Sequence, residues 1–288
     1  MIEKIRQQFS ITALCRAFKV SRSGYYAWRK RPLSDRACRD AYLIQLILEI
    51  EEACYFSYGA YRMAVELGSK GIDVSRKKVA RLMKLAQIQI RKPRPFKPRT
   101  TISDPSYLFA SNVLNRQFND FTEPDQAWGS DISFIPTREG FLYVAGVQDF
   151  FSRRIVGLAM ADHMRTELVA AAFEMACQNR QPAPGLLHHS DRGSQYTSHV
   201  YRALLDDQEV IVSMSRKGDC FDNAPVESFW ATLKRECANR IFDTRAEARA
   251  IIFQYVMGFY NRKRRHSTLG YLSPHDFEMR SKRQILCA

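Results

Sequence analysis

Apolar positions recur at helical spacing through the first 90 residues and switch to strand-like alternation from about residue 125. In SITALCRAFKVSRSGYYAWRKRP, Ser10 is placed to cap a helix bearing Ile11, Leu14, Cys15 and Phe18 on one face. Val20 is expected to close a tight turn, and Ser21 to cap a second helix. Leu43, Ile44, Ile47 and Ile50 form the apolar stripe of a longer helix over roughly 35 to 54. A further helix, glycine turn, helix unit follows to about residue 90, with Ser75 as cap. Beyond 125, AWGSDISFIPT, GFLYVAGVQDF and RRIVGLAMA predict a three-stranded antiparallel meander. A helix over about 166 to 179, a strand at GLLHHS, a helix over about 198 to 206, a strand at EVIVSMS and a long helix over about 224 to 239 come next. Strands first and then alternating helices and strands predict a mixed α/β sheet with helices on its faces.

Residues 91 to 100, RKPRPFKPRT, hold three prolines and five basic residues and fit neither a packed helix nor a central strand. They set a boundary between an all-helical region over 1–90, a basic Pro-rich linker over 91–124, and a mixed α/β unit over 125–288 with a basic C-terminal tail.

Charge sharpens that division. Residues 1–100 carry 22 lysines and arginines against 8 acids, whereas residues 101–288 carry 22 of each. A segment this basic is the electrostatic footprint of a polyanion-binding surface. The paired helices then read either as helix-turn-helix units or as plain structural hairpins. In the first reading Arg22 and Arg29, and in the second unit Lys77, Lys78 and Arg81, face double-stranded DNA. The linker either tracks a phosphate backbone or is simply solvated. No apolar run reaches the length of a membrane span, and the first residues lack a secretory h-region, which leads to a cytoplasmic, nucleoid-associated expectation. The seven cysteines show no C-x-x-C pair, against a disulfide framework or structural zinc.

Three acids fall where side chains can converge on one crevice. Asp131 lies early in the first strand, Asp191 at the carboxyl end of a later one, and Glu227 in the first turn of the long helix. Clustered carboxylates suit hard divalent cations and in-line phosphoryl transfer. Asp149 reads as a strand-end or turn residue rather than a further ligand, and Asp222 and Asn223 as the cap of the Glu227 helix. On that helix Val226, Phe229, Trp230 and Leu233 are spaced to face the core. His188 and His189 are strand neighbours, so they point to opposite faces and cannot both join Asp191 at one ion.

WGSDISFI, HHSDRGSQYTS and NAPVESFWATLKRE resemble the three catalytic motifs of the retroviral-integrase superfamily. The likeness is to its insertion-sequence transposases encoded in a second, overlapping reading frame. The 35 residues between Asp191 and Glu227 match that family's D-D-35-E spacing. Lys234, two helical turns after Glu227, matches a basic position of the family, and QDFFSRRIVG resembles its strand-turn-strand at Asp149, Ser152 and Arg153. YNRKRRHSTLGYLSP resembles its terminal motif, here Tyr260, Asn261, Arg264 and His266. YGAYR and RKKVARLM resemble its N-terminal helical region, so the likeness runs over roughly residues 10 to 278.

What the resemblance implies is a ribonuclease-H-like core that cuts DNA at the ends of an insertion element and joins the freed 3′ hydroxyl to another phosphodiester. Asp131, Asp191 and Glu227 would be its catalytic acids and hold Mg²⁺, or Mn²⁺ in its place, as two ions. Lys234 and Arg264 would contact DNA, and His266 would either do so or satisfy a helix end. Joining two ends implies a homo-oligomer on DNA, and the family's active enzyme is typically fused to an upstream-frame protein that supplies end recognition. No sustained heptad run of the kind that partner carries is visible in this chain, nor is the zinc module of retroviral integrases. A catalytically silent DNA-binding regulator and a metal-dependent nuclease are the alternatives.

Overall fold

A computed structural model describes residues 2–90, 109–216 and 220–286. The proline-rich stretch RKPRPFKPRT lies outside the described residues. The chain begins with a single turn, α1 (Ile2–Ile5), followed by α2 (Ile11–Ala17) and α3 (Arg22–Lys30). Ser10 and Ser21 cap α2 and α3 by accepting the N–H groups of Ala13 and Gly24. Leu14, Cys15 and Tyr25 are buried in this unit, whereas Phe18 and Val20 stay at the surface. Val20 closes the turn as expected, through its backbone N–H on the Cys15 carbonyl at 3.0 Å rather than by burying its side chain, and Tyr25 adds a second tie by donating its hydroxyl to Glu3 Oε2 at 2.6 Å.

α4 (Asp35–Ala53), α5 (Ala60–Ser69) and α6 (Arg76–Leu85) form a second helical unit. Ser34 and Ser75 cap α4 and α6, and Leu43, Ile47, Met63, Leu67, Val79 and Leu82 fill the space between the helices. Asp40 of α4 takes Lys78 at 3.0 Å and Arg81 at 2.6 Å, which ties α4 to α6 by charge as well as by packing.

Five strands form one sheet in the order β3-β2-β1-β4-β5. β1 (Ala127–Thr137), β2 (Gly140–Asp149) and β3 (Ile155–Ala161) make the expected antiparallel meander, while β4 (Leu187–Ser190) and β5 (Ile211–Met214) add parallel to β1. α7 (Thr166–Arg180), the short α8 (Ser194–Thr197) and α9 (His199–Asp207) cover one face. α10 (Ala224–Glu236) and α11 (Arg245–Phe253) cover the other. α11 runs on into a π-helical turn over 254–260, and α12 (Pro274–Leu286) ends the described chain. This is a mixed α/β, ribonuclease-H-like arrangement with helical units in front of it.

Close approach sets how α10 lies on the sheet. A Cβ on Gly129 would overlap the Phe150 ring and stand 2.8 Å from Val226 Cγ2, and one on Gly146 would stand 3.1 Å from the Trp230 ring. Only glycine leaves room for the helix there. The long helix ends at Glu236, short of the expected 239, where Cys237 donates its N–H to the Leu233 carbonyl as the last helical bond.

Two stretches read as loosely attached are packed. Residues 109–124 carry little regular structure, yet Leu114 is buried and Phe118 and Phe121 meet Phe150 at 5.4 and 6.3 Å. In the region read as a basic tail, Glu278 is buried and accepts hydrogen bonds from Ser152, Arg154 and Arg180. The second helical unit also shares a core with the sheet domain: Tyr55 packs against Tyr255 and Phe259 at 5.1 and 5.0 Å, and Arg265 donates to Glu66 at 2.6 Å.

Glu51 of α4 is buried in that shared core, and its carboxyl oxygens find no hydrogen-bond partner of good geometry among the described residues. Burial pushes its carboxyl up to about 7 from the ordinary 4.5, with the Tyr58 backbone offsetting only part of this. Because the folded-state value is the higher one, ionisation destabilises the fold progressively from pH 4.5 to about 7, and fully above that. Glu51→Gln is expected to unfold later than the parent chain at pH 8, by on the order of 3 kcal/mol. Urea titrations at several pH values should show that gap shrinking as the pH falls towards 4.5. A gap independent of pH would show that Glu51 is not held neutral by the fold.

Candidate active site

Asp131 sits on the central strand β1, opposite Gly146 of β2, and its Oδ1 accepts the Ile132 N–H at 2.8 Å. Asp191 follows directly after β4, and its Oδ1 accepts the Gly193 N–H at 2.9 Å. Both are half-buried. Burial drives the Asp131 carboxyl well above the usual carboxylate range; the charges of Asp191 and Glu227 push it further, and Lys234 opposes them. Burial raises Asp191 as well, against its bond from Gly193. The two acids thus stand near enough to disfavour one another's ionisation.

Glu227 lies in the first turn of α10, exposed by area, although neighbouring atoms desolvate it enough to raise its carboxyl. Its charge reaches Asp131. Among the described residues, no three His, Cys, Asp or Glu side chains stand close enough together to share one ion. Asp131 is therefore the residue that feels both of the other acids, while Glu227 stays exposed on the first turn of α10. Lys234 lies two turns along α10, where burial lowers its ammonium and the Asp131 charge raises it, with its Nζ 5.0 Å above the Phe134 ring.

β4 pairs with β1 only over Ala127–Gly129. Beyond it Asn223 takes the Ser130 carbonyl and Phe242 bridges Thr137, which leaves the edge between Asp131 and Ile135 without a neighbouring strand among the described residues.

Tyr196 gave no signal in the sequence beyond its place in the motif. It is buried on α8, and its hydroxyl has no hydrogen-bond partner among the described residues. Burial raises its phenol, and the charges of Asp131, Tyr201 and Asp191 add to that, so the hydroxyl lies within electrostatic reach of the acids.

The two histidines do face opposite ways. His188 Nε2 meets Ser130 Oγ at 2.8 Å and Tyr201 Oη at 3.2 Å, while His189 meets Ser213 and Ser215 at 2.9 and 3.1 Å. Burial depresses them to about 3 and about 4, so both are neutral packing groups. Asp149 closes the turn after β2 by accepting from Ser152 N–H and Oγ and from Asp125 N–H, as a strand-end residue should. The cap expected of Asp222 and Asn223 is not formed. Asp222 instead accepts from Arg116 Nε at 2.7 Å and from the Arg216 backbone at 2.8 Å, and Asn223 donates to the Ser130 carbonyl. Asp222 anchors the incoming chain because its buried carboxylate has two arginines beside it.

Arg264 and His266, expected at DNA, are both inside the fold. Arg264 is 3% exposed and forms a two-pronged pair with Glu236 at 2.8 and 2.7 Å, joined by the Tyr255 hydroxyl at 2.7 Å. His266 is buried edge-on to Tyr260 at 4.8 Å, and burial followed by the charges of Arg264, Arg62 and Arg153 holds it well below its usual range, hence uncharged. Arg22, Arg29 and Lys77 are exposed, as a DNA-facing role requires. Lys78 and Arg81 share Asp40 as a partner.

Family models described as integrase core domain match residues 122–220 and 208–274, and one described as an HTH-like domain matches residues 37–96. The HTH-like match covers the unit built by α4, α5 and α6, not the α2–α3 hairpin. The sequence is 44% identical over 268 residues to the insertion element IS600 uncharacterized 31 kDa protein of Shigella sonnei, covering 92% of this chain and 97% of that one. It is 44% identical over 222 residues to the transposase for insertion sequence element IS904 of Lactococcus lactis, covering 77% and 87%. Over 280 residues it is 37% identical to the transposase InsF for insertion sequence IS3A of Escherichia coli, covering 96% of each.

Removing Arg264 would take from the buried Glu236 carboxylate its two-pronged partner, leaving the Tyr255 hydroxyl and Arg235 beside it. Arg264→Ala is expected to lower the unfolding free energy by about 3 to 5 kcal/mol. Thermal and urea unfolding would register this; an unchanged midpoint would mean the pair does not hold the C-terminal segment.

Proposed function

The chain belongs to the insertion-sequence transposases that carry an HTH-like domain and an integrase core, and we propose that its DNA strand cleavage and joining take place at Asp131, Asp191 and Glu227. One observation carries this reading: the half-buried carboxylate of Asp131 on the central strand stands within reach of the charges of Asp191, just past β4, and of Glu227 on α10, both of which disfavour its ionisation. A fold gains nothing in stability from that grouping, and perturbed acids in a crevice are the mark of a functional site.

The same observation tests the fit of a divalent cation. The donors are hard oxygens, and a cation would favour the ionised state that their burial opposes. Mg²⁺, with Mn²⁺ as substitute and two ions in this reading, would be held by Asp131 and Asp191 with Glu227 completing the set. When bound, such ions supply neutralisation of the attacking and leaving oxygens in an in-line displacement. Lys234, half-buried beside Asp131, offers its ammonium to the phosphate of the strand being cut. The stretch of β1 edge between Asp131 and Ile135, which no other strand pairs, would admit that strand from solvent. The nucleophiles of this reading are water and a DNA 3′ hydroxyl, so no side chain becomes covalently linked.

We assign DNA binding to the helical region over residues 1–90, with Arg22 and Arg29 on α3 and Lys77, Lys78 and Arg81 on α6 as phosphate or groove contacts. The mixed α/β unit over 125–288 carries the chemistry. Two DNA ends must meet for joining, so the working form is an assembly of several copies. An upstream-frame partner or fusion is the further element that recognition of the ends would draw on.

The test is strand transfer or its reversal on a branched oligonucleotide with Mg²⁺ or Mn²⁺, comparing the parent chain with Glu227→Gln and Asp131→Asn. Both substitutions are expected to abolish cleavage and joining while leaving DNA affinity unchanged. Full activity in either variant would overturn the assignment, and cleavage without joining in the parent chain would reduce it to a nuclease.

A further inference from the structure

Three aromatic rings line one face of the meander beside the acids. The strand register sets Phe134 opposite Tyr143 and Pro136 opposite Phe141, so Phe134, Phe141 and Tyr143 project from the same side of β1 and β2. Phe141 meets Phe134 edge-on at 5.0 Å and Tyr143 at 6.4 Å. None of the three is buried, and Phe141 is 48% exposed. Cations frame them. Lys234 stands over the Phe134 ring, and Arg245 donates to the Phe141 carbonyl at 3.1 Å.

Lys234 links this surface to the acid pair. Asp131 and Phe134 point to opposite faces of β1, but β4 leaves that edge of β1 free, and Lys234 reaches across it to sense the Asp131 charge and cover Phe134 at once. Lys234 is thus a phosphate-binding group that borders both the acids and the ring surface.

We propose that Phe134, Phe141 and Tyr143 are a stacking platform for an unpaired base of the DNA strand, adjacent to the phosphate brought to Asp131 and Asp191. The proposal rests on the reading of those acids as the catalytic pair. Aromatic faces interleaved with lysine and arginine are what single-stranded nucleic acid uses, because every base offers a π-face and every phosphate a charge. A second copy of the chain is a poorer occupant. One half-exposed phenylalanine and two partly covered rings fall far below the roughly 800 Å² per partner of a stable protein interface.

The full chain is titrated with a short single-stranded oligonucleotide of mixed sequence bearing 2-aminopurine, and with the duplex of the same sequence. Phe141→Ala should fold normally, since the ring is half in solvent. It is expected to weaken single-strand binding by about tenfold and relieve the quenching of 2-aminopurine, while duplex affinity is unchanged. Phe141→Trp should restore both readings. Equal loss on single strand and duplex, no loss on either, or no single-strand binding by the parent chain would each overturn the platform. So would a fall in sedimenting mass on Phe141→Ala, which would mark the face as a contact between copies. The parent reading fails separately: it falls if Asp131→Asn remains active, whatever Phe141 does.

Discussion

The seating of α10 on the sheet is the constraint from which the site follows. Gly129 and Gly146 let the helix drop against β1 and β2, with Val226 and Trp230 in the space that side chains would have taken. Once the helix lies there, its first turn carries Glu227 and its third carries Lys234 to within electrostatic reach of Asp131. The apolar stripe of Val226, Phe229, Trp230 and Leu233 supplies the driving force, and the charged residues are carried to their places by it. Position of the chemistry is thus a by-product of packing, which is why residues with no polar atoms matter to it as much as the acids do.

Much of this was legible in the sequence. Serine caps, the apolar stripe of α4, the alternation of the meander and the placement of Asp131, Asp191 and Glu227 all depend on neighbours within a turn or a strand, and periodicity reports those directly. What it could not show were partnerships between distant positions. Arg264 sits in a run of basic residues that reads as a DNA contact, yet its partner Glu236 lies on another helix, and nothing in either segment announces the pair. Asp222 looked like a helix cap because it stands just before a helix; Arg116 and Arg216, arriving from elsewhere, claim it instead. Tyr196 went unnoticed for the same reason, since only the folded chain brings its hydroxyl within electrostatic reach of the acids.

The helical and mixed units are less separable than their compositions suggest. A basic, helical first third and a charge-balanced remainder read as two bodies on a string. The second helical unit nonetheless meets the π-helical turn through Tyr55, Tyr255 and Phe259, and Arg265 joins Glu66 across the same junction. Charge asymmetry describes where a polyanion would lie, not where the core ends. The unpaired carboxyl of Glu51 inside that junction is a local conflict of the kind that packing tolerates when enough apolar surface closes around it.

Glu278 ties together segments that lie far apart in the chain. Its buried carboxylate receives Ser152, Arg154 and Arg180, groups that belong to the turn after β2 and to the end of α7. Every strand of the sheet precedes Glu278 in the chain, and of the two arginines that meet it Arg180 also pairs with Asp125 at 2.8 Å, whereas Arg154 reaches Glu278 at 2.7 Å. α12 therefore closes over a sheet whose strands all precede it in the chain, and the turn after β2 is tied to the end of α7 through a helix that belongs to neither.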